Sequence, residues 1–393
     1  MVGNRKERVE DGVATDYEYD ATYQLTKAQT GPRKERYEYD DVGNRTFGPT
    51  VKDVTETYAH DDANRMTKGR RLDYAYDDLG RQTARIFTAD PYRAWVQKWD
   101  GEGMLKQVDL VEGAVVHRRT TFKYDPFGRR VEKKVVYDPD TTPETVITTY
   151  VYDREDIIYT EKSIDGAPPV KTHYIHGPGI DEPLAMVRDG VAYYYHADGL
   201  GSIVAITDDS QNIVQQYSYE SFGRVKVSNR AFKDIYTYTG REWDREVALH
   251  YYRARYYDPM AGRFISKDPI GFYGDDVNLY NYLWDNPVNF TDPFGLSNDS
   301  LSKSIQKAAS QGNLTELETL FHATGRKSAQ EAIKRLKSKA GDFIGKQCKG
   351  SINREFPNEM RDKTLKEIYD LAKKGSKVAR KAKKLLNDNR FRK

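Results

Sequence analysis

The chain has 393 residues, enough for more than one domain, and its formal net charge of +3 hides a division between two segments. Residues 1–296 hold 39 Lys and Arg against 49 Asp and Glu, a balance of −10, whereas residues 297–393 hold 24 against 11, a balance of +13. The single cysteine, Cys348, excludes an intrachain disulfide, and the absence of any apolar run of about 18 residues excludes a membrane-spanning helix.

The first residues, Met1–Lys6, are polar and lack the apolar stretch of a signal peptide. They also lie within a phrase that recurs later in the chain, so we expect a piece of a longer protein. Tyrosine is the conspicuous residue type, with 30 copies. Tyrosine favours strands and can bury its ring while its hydroxyl finds a partner, which predicts β-structure.

One phrase recurs through residues 1–296, namely Tyr-x-Tyr-Asp followed by a glycine and basic or amide residues. Full or shortened copies contain Tyr17, Tyr37, Tyr58, Tyr74, Trp99, Tyr124, Tyr150 and Tyr217. The two tyrosines share one face of a strand, the aspartate opens a turn, and glycine supplies the positive φ that the turn requires. The phrase therefore predicts β-hairpins stacked into one long curled sheet, with an ordinary β-sandwich as the alternative.

Longer motifs follow in a fixed order after the repeats. They are YHADGLGS at 195–202, YTGRE at 238–242, YYRARYYDP at 251–259, GRFISKDPIG at 262–271, NLYNY at 278–282 and DPFGL at 292–296. Together with the repeats they resemble the YD-repeat proteins of the Rhs family of polymorphic toxins, which are related to teneurins and to the C component of insecticidal Tc toxins. The resemblance covers residues 1–296.

The resemblance implies a mostly β shell of YD repeats over residues 1–250, which would encapsulate a C-terminal toxin. It also implies an aspartic-protease-like self-cleavage region at residues 251–296, in which Asp268 and Asp292 would cut the bond between Leu296 and Ser297. We expect Arg263 or Lys267 to supply a cation near this site. The alternative is that both Asp-Pro pairs only form turns.

Two carboxyl groups are suited to this chemistry because sharing one site separates their pKa values, so that one is ionised and the other protonated. The ionised group activates water, and the protonated group donates to the reacting amide. One position departs from the family motif. Phe272 stands where Leu is usual, and we interpret that change as one of packing.

The segment 297–393 is predicted to be a small, mainly α-helical, basic domain that occupies the place of the toxin in the family. The expected helices cover Leu301–Ser310, Leu314–Ala323, Ser328–Gly341, Thr364–Gly375 and Ser376–Leu386. Thr364-x-x-Glu367 has the form of a capping box, and Gly375 has the form of a helix end. The one-signed charge predicts a polyanion partner, although a solvated charged face is the alternative.

The chemistry of this segment is less defined by its residues. One histidine and one cysteine exclude zinc-type and HNH-type nucleases, and we predict no metal and no cofactor. A metal-independent RNase needs a base, an acid and cations. The candidates for catalysis are His322, Arg354, Glu355, Asp362 and Lys363. The candidates for nucleic-acid binding are Lys349, Lys373, Lys374, Lys377, Arg380 and Lys381.

The leading hypothesis is an Rhs-family effector whose released C-terminal domain is a nuclease, with RNase favoured. The alternatives are a toxin that modifies a host protein or nucleotide, and an inactive binding or structural tail. The family implies secretion machinery, delivery into the cytoplasm of a target cell, and a cognate immunity protein. An acidic immunity protein would complement the positive charge.

Overall fold

In the computed structural model, the residues that the structure describes are 4–10, 12–49, 57–274, 276–296, 337, 357–360, 362–374 and 376–386. The chain forms two compact units, Met1–Asn298 and Asp299–Lys393. The first unit is built from antiparallel strands and the described part of the second from short helices. The predicted architecture, a mostly β body of stacked hairpins followed by a small helical part, is confirmed.

The strands of the first unit form four sheets. The N-terminal sheet contains β1 (Glu7–Glu10), β2 (Val13–Tyr19), β3 (Leu25–Thr30) and β4 (Arg33–Arg36), and a two-stranded sheet contains β5 (Glu38–Tyr39) and β6 (Arg45–Phe47). The large sheet contains β7 (Ala59–His60), β8 (Met66–Gly69), β9 (Leu72–Tyr76), β10 (Gln82–Phe87), β11 (Asp90–Trp99), β12 (Leu105–Glu112), β13 (Val115–Tyr124), β14 (Arg130–Tyr137), β15 (Glu144–Asp153), β16 (Asp156–Ile164), β17 (Val170–His176), β18 (Pro183–Arg188), β19 (Val191–Ala197), β20 (Ile203–Asp208), β21 (Ile213–Tyr219) and β22 (Val225–Val227). The last sheet contains β23 (Glu242–Asp244), β24 (Leu249–Tyr252), β25 (Arg255–Asp258) and β26 (Arg263–Phe264).

The 16 strands of the large sheet follow one another in sequence order, and each pairs antiparallel with the next. Such a meander follows from the repeat, because each hairpin can bury its apolar face only against its neighbours. Three short 3₁₀ turns lie in the first unit beside the last sheet, at Tyr238–Gly240, Gly271–Gly274 and Leu283–Asp285.

The aspartate of the repeat phrase organises the turn as predicted. Asp77 Oδ1 accepts the N–H groups of Leu79 (3.1 Å) and Arg81 (2.8 Å), and its Oδ2 accepts from Arg81 Nε at 2.7 Å. Arg81 Nη1 then donates to the Asp100 carbonyl of the next hairpin at 3.0 Å. The arginine of the phrase therefore links consecutive hairpins, and Gly80 supplies the expected positive φ of 80°.

The second tyrosine of the phrase makes a recurrent hydrogen bond that ties its strand to an earlier hairpin. Its hydroxyl donates to a backbone carbonyl 14 to 22 residues earlier in the chain. The pairs are Tyr19 to Arg5, Tyr39 to Leu25, Tyr124 to Leu105, Tyr152 to Arg130 and Tyr219 to Ile203. The aromatic ring is thus partly buried while its polar end is satisfied, which suits tyrosine to this position.

The buried face of the large sheet packs against residues 228–296, which form the last sheet and the 3₁₀ turns. Leu105 and Phe122 of the large sheet share a cluster with Leu249 and Tyr256, and Tyr236 joins a cluster of residues from β15 to β21. In this stretch, aromatic side chains of the first unit itself cover the inner face of the sheet.

The N-terminal and C-terminal repeats of the first unit also meet. Arg70, in the turn between β8 and β9, lies 2.9 Å from Glu220, which follows β21. Arg8 of β1 lies 3.2 Å from Asp198, which follows β19. These ion pairs bring the two edges of the large sheet, and the N-terminal sheet, close together, so the repeat array curls back on itself.

The second unit has two described α-helices, α1 (Leu365–Lys373) and α2 (Lys377–Leu386), and a 3₁₀ turn at Asn358–Met360. The predicted capping box is confirmed, because the Thr364 side chain accepts the Glu367 N–H and the Glu367 carboxylate accepts the Thr364 N–H. Ile368, Ala379 and Ala382 are fully buried. The helices predicted before residue 342 lie outside the described residues, apart from the helical Lys337.

Candidate functional site

The turn between β24 and β25 holds the DPFGL segment through three successive hydrogen bonds. The two turn residues and the first residue of β25 donate to three consecutive carbonyl oxygens: Arg253 Nη1 to Pro293, the Ala254 N–H to Phe294 at 3.2 Å, and Arg255 Nε to Gly295. The turn can do so because Arg253 adopts a positive φ of 52°. The backbone of residues 293–295 is therefore fixed along the turn.

Arg255 also brings the two predicted carboxylates together. Its Nη2 atom lies 2.9 Å from Asp268 Oδ2 and 3.7 Å from Asp292 Oδ2. Its Nη1 atom donates to the Leu279 carbonyl at 3.1 Å, and its guanidinium carbon lies 3.5 Å from the centre of the Phe264 ring. The arginine side chain is only 1% exposed, so this cation and both carboxylates share a site removed from water.

Each carboxylate is additionally fixed by a backbone N–H. Asp292 Oδ1 accepts from Leu296 at 3.0 Å, and Asp268 Oδ1 accepts from Ile270 at 3.0 Å. Asp292 and Leu296 are 1% and 0% exposed. The Gly295–Leu296 peptide, which precedes the Leu296–Ser297 bond, is thus hydrogen-bonded directly to Asp292.

The electrostatics separate Asp268 from an ordinary aspartate. Burial raises the pKa of Asp268 to about 6; the Arg255 charge opposes this shift and the Asp292 charge adds to it. Burial also lowers the pKa of Arg255, against the opposing effect of both aspartates. A carboxyl group with a pKa near 6 is protonated in part of the molecules near neutral pH, so the site can offer a general acid beside a second carboxylate.

Gly295 is required by the close packing of this loop. Its φ is +66°, and a Cβ atom at this position would lie 2.4 Å from the Tyr252 carbonyl oxygen. No other residue fits without moving the backbone. The glycine of DPFGL therefore allows the loop to lie directly on β24.

The structure does not place the predicted cations on the carboxylates. Arg263 donates to the Asn64 carbonyl at 2.8 Å and to Asn278 Oδ1 at 3.1 Å, and Lys267 is exposed. The cation at the site is Arg255, which sequence reasoning missed. The available signal was its position among the buried tyrosines of YYRARYYDP, where an arginine is expensive to bury unless it is paired.

The packing interpretation of Phe272 was wrong, because that side chain is 72% exposed.

The described part of the second unit contains some of the predicted tail residues. Asp362 is exposed and Lys363 is half-buried beside the start of α1. Of the residues predicted to bind nucleic acid, Lys373, Lys374, Lys377, Arg380 and Lys381 are exposed. His322, Lys349, Arg354 and Glu355 lie outside the described residues.

The sequence profile of the teneurin YD-shell family matches residues 5–288. This match covers most of the chain, including the curled repeat sheet and the greater part of the segment that packs on its inner face. The chain belongs to the teneurin YD-shell family, and its resemblance to Rhs and YD-repeat polymorphic toxins is confirmed.

Three similar proteins carry toxin or nuclease names. The tRNA3(Ser)-specific nuclease WapA of Bacillus spizizenii is 31% identical over 268 residues, which cover 66% of this chain and 11% of that protein. The double-stranded DNA deaminase toxin A of Burkholderia cenocepacia is 27% identical over 328 residues, covering 76% and 22%. The probable deoxyribonuclease RhsA of Dickeya dadantii is 27% identical over 310 residues, covering 72% and 21%.

The chain thus spans less than a quarter of the length of these three relatives. Within the described residues, no helix is both long and apolar enough to cross a membrane. The same residues contain no group of three or more His, Cys, Asp or Glu side chains arranged to hold a metal ion.

Proposed function

We propose that this chain is the C-terminal part of an Rhs-family toxin that cuts itself between Leu296 and Ser297. The cut would release residues 297–393 as a basic cytotoxic domain. The observation that carries the proposal is the meeting of Asp268 and Asp292 on one buried guanidinium, with the Leu296 N–H bound to Asp292.

In the proposed reaction, water attacks the carbonyl carbon of Leu296. The Asp292 carboxylate takes a proton from the water, and the protonated Asp268 carboxyl gives a proton to the nitrogen of Ser297 as the peptide bond breaks. The products are a carboxylate on Leu296 and an amine on Ser297. Arg255 holds the Gly295 carbonyl and both acids in register, so its main contribution is positioning.

The test measures the rate of self-cleavage of the full chain made by cell-free synthesis. Asp292→Asn and Asp268→Asn are each expected to slow the cleavage by at least about 100-fold, because each removes one member of the acid–base pair. The matched control is Asp234→Asn, since Asp234 is also a buried carboxylate paired with an arginine, Arg188, outside the site. Cleavage of both site variants at the wild-type rate would contradict the proposal.

For the released domain, we propose a nuclease activity, with RNA as the favoured substrate. The support is the charge of +13 on residues 297–393, the exposed basic face of α1 and α2, and the nuclease names of the WapA and RhsA relatives. His322, Arg354, Glu355, Asp362 and Lys363 are the proposed catalytic candidates. The released domain would then act in the cytoplasm of a target cell.

The nuclease proposal is tested by incubating the self-cleaved full chain with RNA and with DNA, followed by gel analysis and sequencing. RNA breakage that is lost in His322→Ala or Arg354→Ala is the expected result. Base changes without strand breakage would instead favour a modifying toxin, an outcome of interest because one relative is named a DNA deaminase. Intact, unmodified nucleic acid would contradict the nuclease proposal.

Delivery and protection follow the same proposal. We expect the longer protein to be exported by secretion machinery and the producing cell to hold an immunity protein. Because the released domain is strongly basic, an acidic immunity protein would complement its charge. Co-purification of the toxin domain with a neighbouring acidic protein of the producer tests this expectation.

A further inference from the structure

Arg253 joins the DPFGL segment to two turns of the large sheet. Its Nη1 atom donates to the Pro293 carbonyl, and its guanidinium carbon lies 5.2 Å from the centre of the Phe294 ring. On its other side, Arg253 forms a two-point contact with Asp181, at 2.7 and 3.3 Å. Its Nη2 atom also donates to the Glu155 carbonyl at 3.2 Å.

Asp181 is itself held in place. It accepts from Arg241 Nη1 at 2.6 Å, and its side chain is only 8% exposed. Its carbonyl oxygen packs against Gly240, where a Cβ atom would approach to 2.3 Å. The carboxylate that orients Arg253 is therefore fixed by packing as well as by charge.

The two acceptors on the sheet side come from separate hairpins. Glu155 lies in the turn between β15 and β16, and Asp181 lies in the connection between β17 and β18. Residues 292–296, in contrast, belong to the segment that fills the inner face. Arg253 consequently reaches Pro293 in its observed orientation only when these hairpins are docked against that segment.

We infer that Asp181 and Arg253 are positioning residues for self-cleavage, and that they make the cut conditional on the docking of the β15–β18 hairpins. This inference rests on the proposed self-cleavage. Arg253 acts on the backbone of the cut segment and not on the acids, which are bound by Arg255. A chain whose repeats have not closed on residues 292–296 would remain uncut, so the toxin would be released only from a folded body.

A purely structural ion pair is the competing explanation, and the chain offers a matched example. Arg70 and Glu220 form a buried ion pair, 7% and 6% exposed, that also joins distant parts of the repeat array but lies outside the DPFGL contacts. Loss of this pair would destabilise the first unit without altering the cleavage geometry. Glu220→Gln is therefore the control.

The experiment follows cleavage of the full chain after cell-free synthesis. Brief proteolysis removes unfolded chains, and the first-order rate constant of cleavage is measured for the folded fraction that remains. Arg253→Ala and Asp181→Ala are each expected to slow cleavage by about 10- to 100-fold, the effect of misplacing a reacting bond. The double variant is expected to be no slower than Arg253→Ala, because the two side chains act through one contact.

Three further readouts separate positioning from simple stability. The pH dependence of cleavage should be unchanged in the variants. The rate constant of Asp181→Asn should lie between those of wild type and Asp181→Ala, because asparagine retains an acceptor oxygen. Glu220→Gln should cleave at the wild-type rate. A wild-type rate constant in folded Arg253→Ala, or effects of the two single variants that multiply in the double variant, would overturn the inference. The proposed self-cleavage fails separately, if the wild-type chain stays intact or if Asp292→Asn is cut at the wild-type rate.

Discussion

The aspartates of the repeat turns and the two aspartates of the candidate site begin from the same local structure. Asp77 accepts the N–H groups two and four residues ahead. Asp268 accepts the N–H two residues ahead, and Asp292 accepts the N–H four residues ahead. All three are therefore turn-forming aspartates, and the turn interpretation of the Asp-Pro motifs is compatible with the functional one.

The difference lies in the second carboxylate oxygen. In the repeat, Asp77 has its own partner, Arg81, and both side chains are partly exposed. Burial works to raise the pKa of Asp77, but hydrogen bonds from Arg81 outweigh it and lower that pKa. In the site, Asp268 and Asp292 share one buried arginine, and the pKa of Asp268 rises to about 6. An aspartate that is paired with its own arginine forms a structural turn. Two aspartates that share one buried arginine form a pair suited to acid–base chemistry.

The largest effect should come from substituting the shared arginine. Arg255→Lys keeps the charge, but one ammonium group cannot replace a planar fork that contacts two carboxylates and two carbonyls. We expect the self-cleavage rate of the full chain to fall at least about 100-fold. Arg81→Lys, the matched change in a repeat turn, should leave the rate unchanged. Equal effects of the two substitutions would remove the distinction between the turns.

The glycines of the two kinds of turn give the next contrast. Gly295→Ala should strain the loop, because its φ is positive and its Cβ would meet the Tyr252 carbonyl at 2.4 Å. Gly128→Ala in a repeat turn has a positive φ but no atom within 4 Å of the added Cβ, so it should cost only about 1 kcal/mol. Thermal unfolding and the cleavage rate measure both effects. An unaffected cleavage rate in Gly295→Ala would contradict the described packing.

The pH dependence of cleavage sharpens the same comparison. Because the Asp268 carboxyl must be protonated to act as the acid and its pKa is about 6, the cleavage rate should decline as the pH rises above about 6. The decline should approach about tenfold per pH unit, as expected for loss of one proton. Rate measurements on the full chain between pH 5 and 8 check this, and a rate that increases over that range would exclude Asp268 as the acid.

The smallest expected effect belongs to the repeats. Tyr152→Phe removes the hydroxyl that donates to the Arg130 carbonyl at 2.9 Å. The change should lower the free energy of unfolding by about 1 kcal/mol and leave the cleavage rate as in wild type. Urea denaturation and the cleavage assay measure the two quantities. A large loss of cleavage would mean that the tyrosine hydrogen bonds between hairpins also shape the site.

Local patterns made the hairpins predictable, whereas the pairing of Asp268 and Asp292 was an expectation from the resemblance to the Rhs family. Tyr-x-Tyr-Asp specifies a strand face and a turn within a few residues, and its outcome at Asp77 and Tyr152 follows directly. The filling of the inner face by residues 228–296 was not predictable, because it depends on contacts between distant segments. For the same reason Arg255 and Arg253 were missed, since their partners lie up to 98 residues away in the chain.

The most direct test of the central claim is the mass of the products formed by the purified full chain. The proposal predicts two fragments, residues 1–296 ending in Leu296 and residues 297–393 beginning with Ser297, with the Asp292→Asn variant remaining intact. Fragments with different ends, or a wild-type chain that keeps its full mass after folding, would contradict the assignment of Asp268 and Asp292 as a self-cleaving pair.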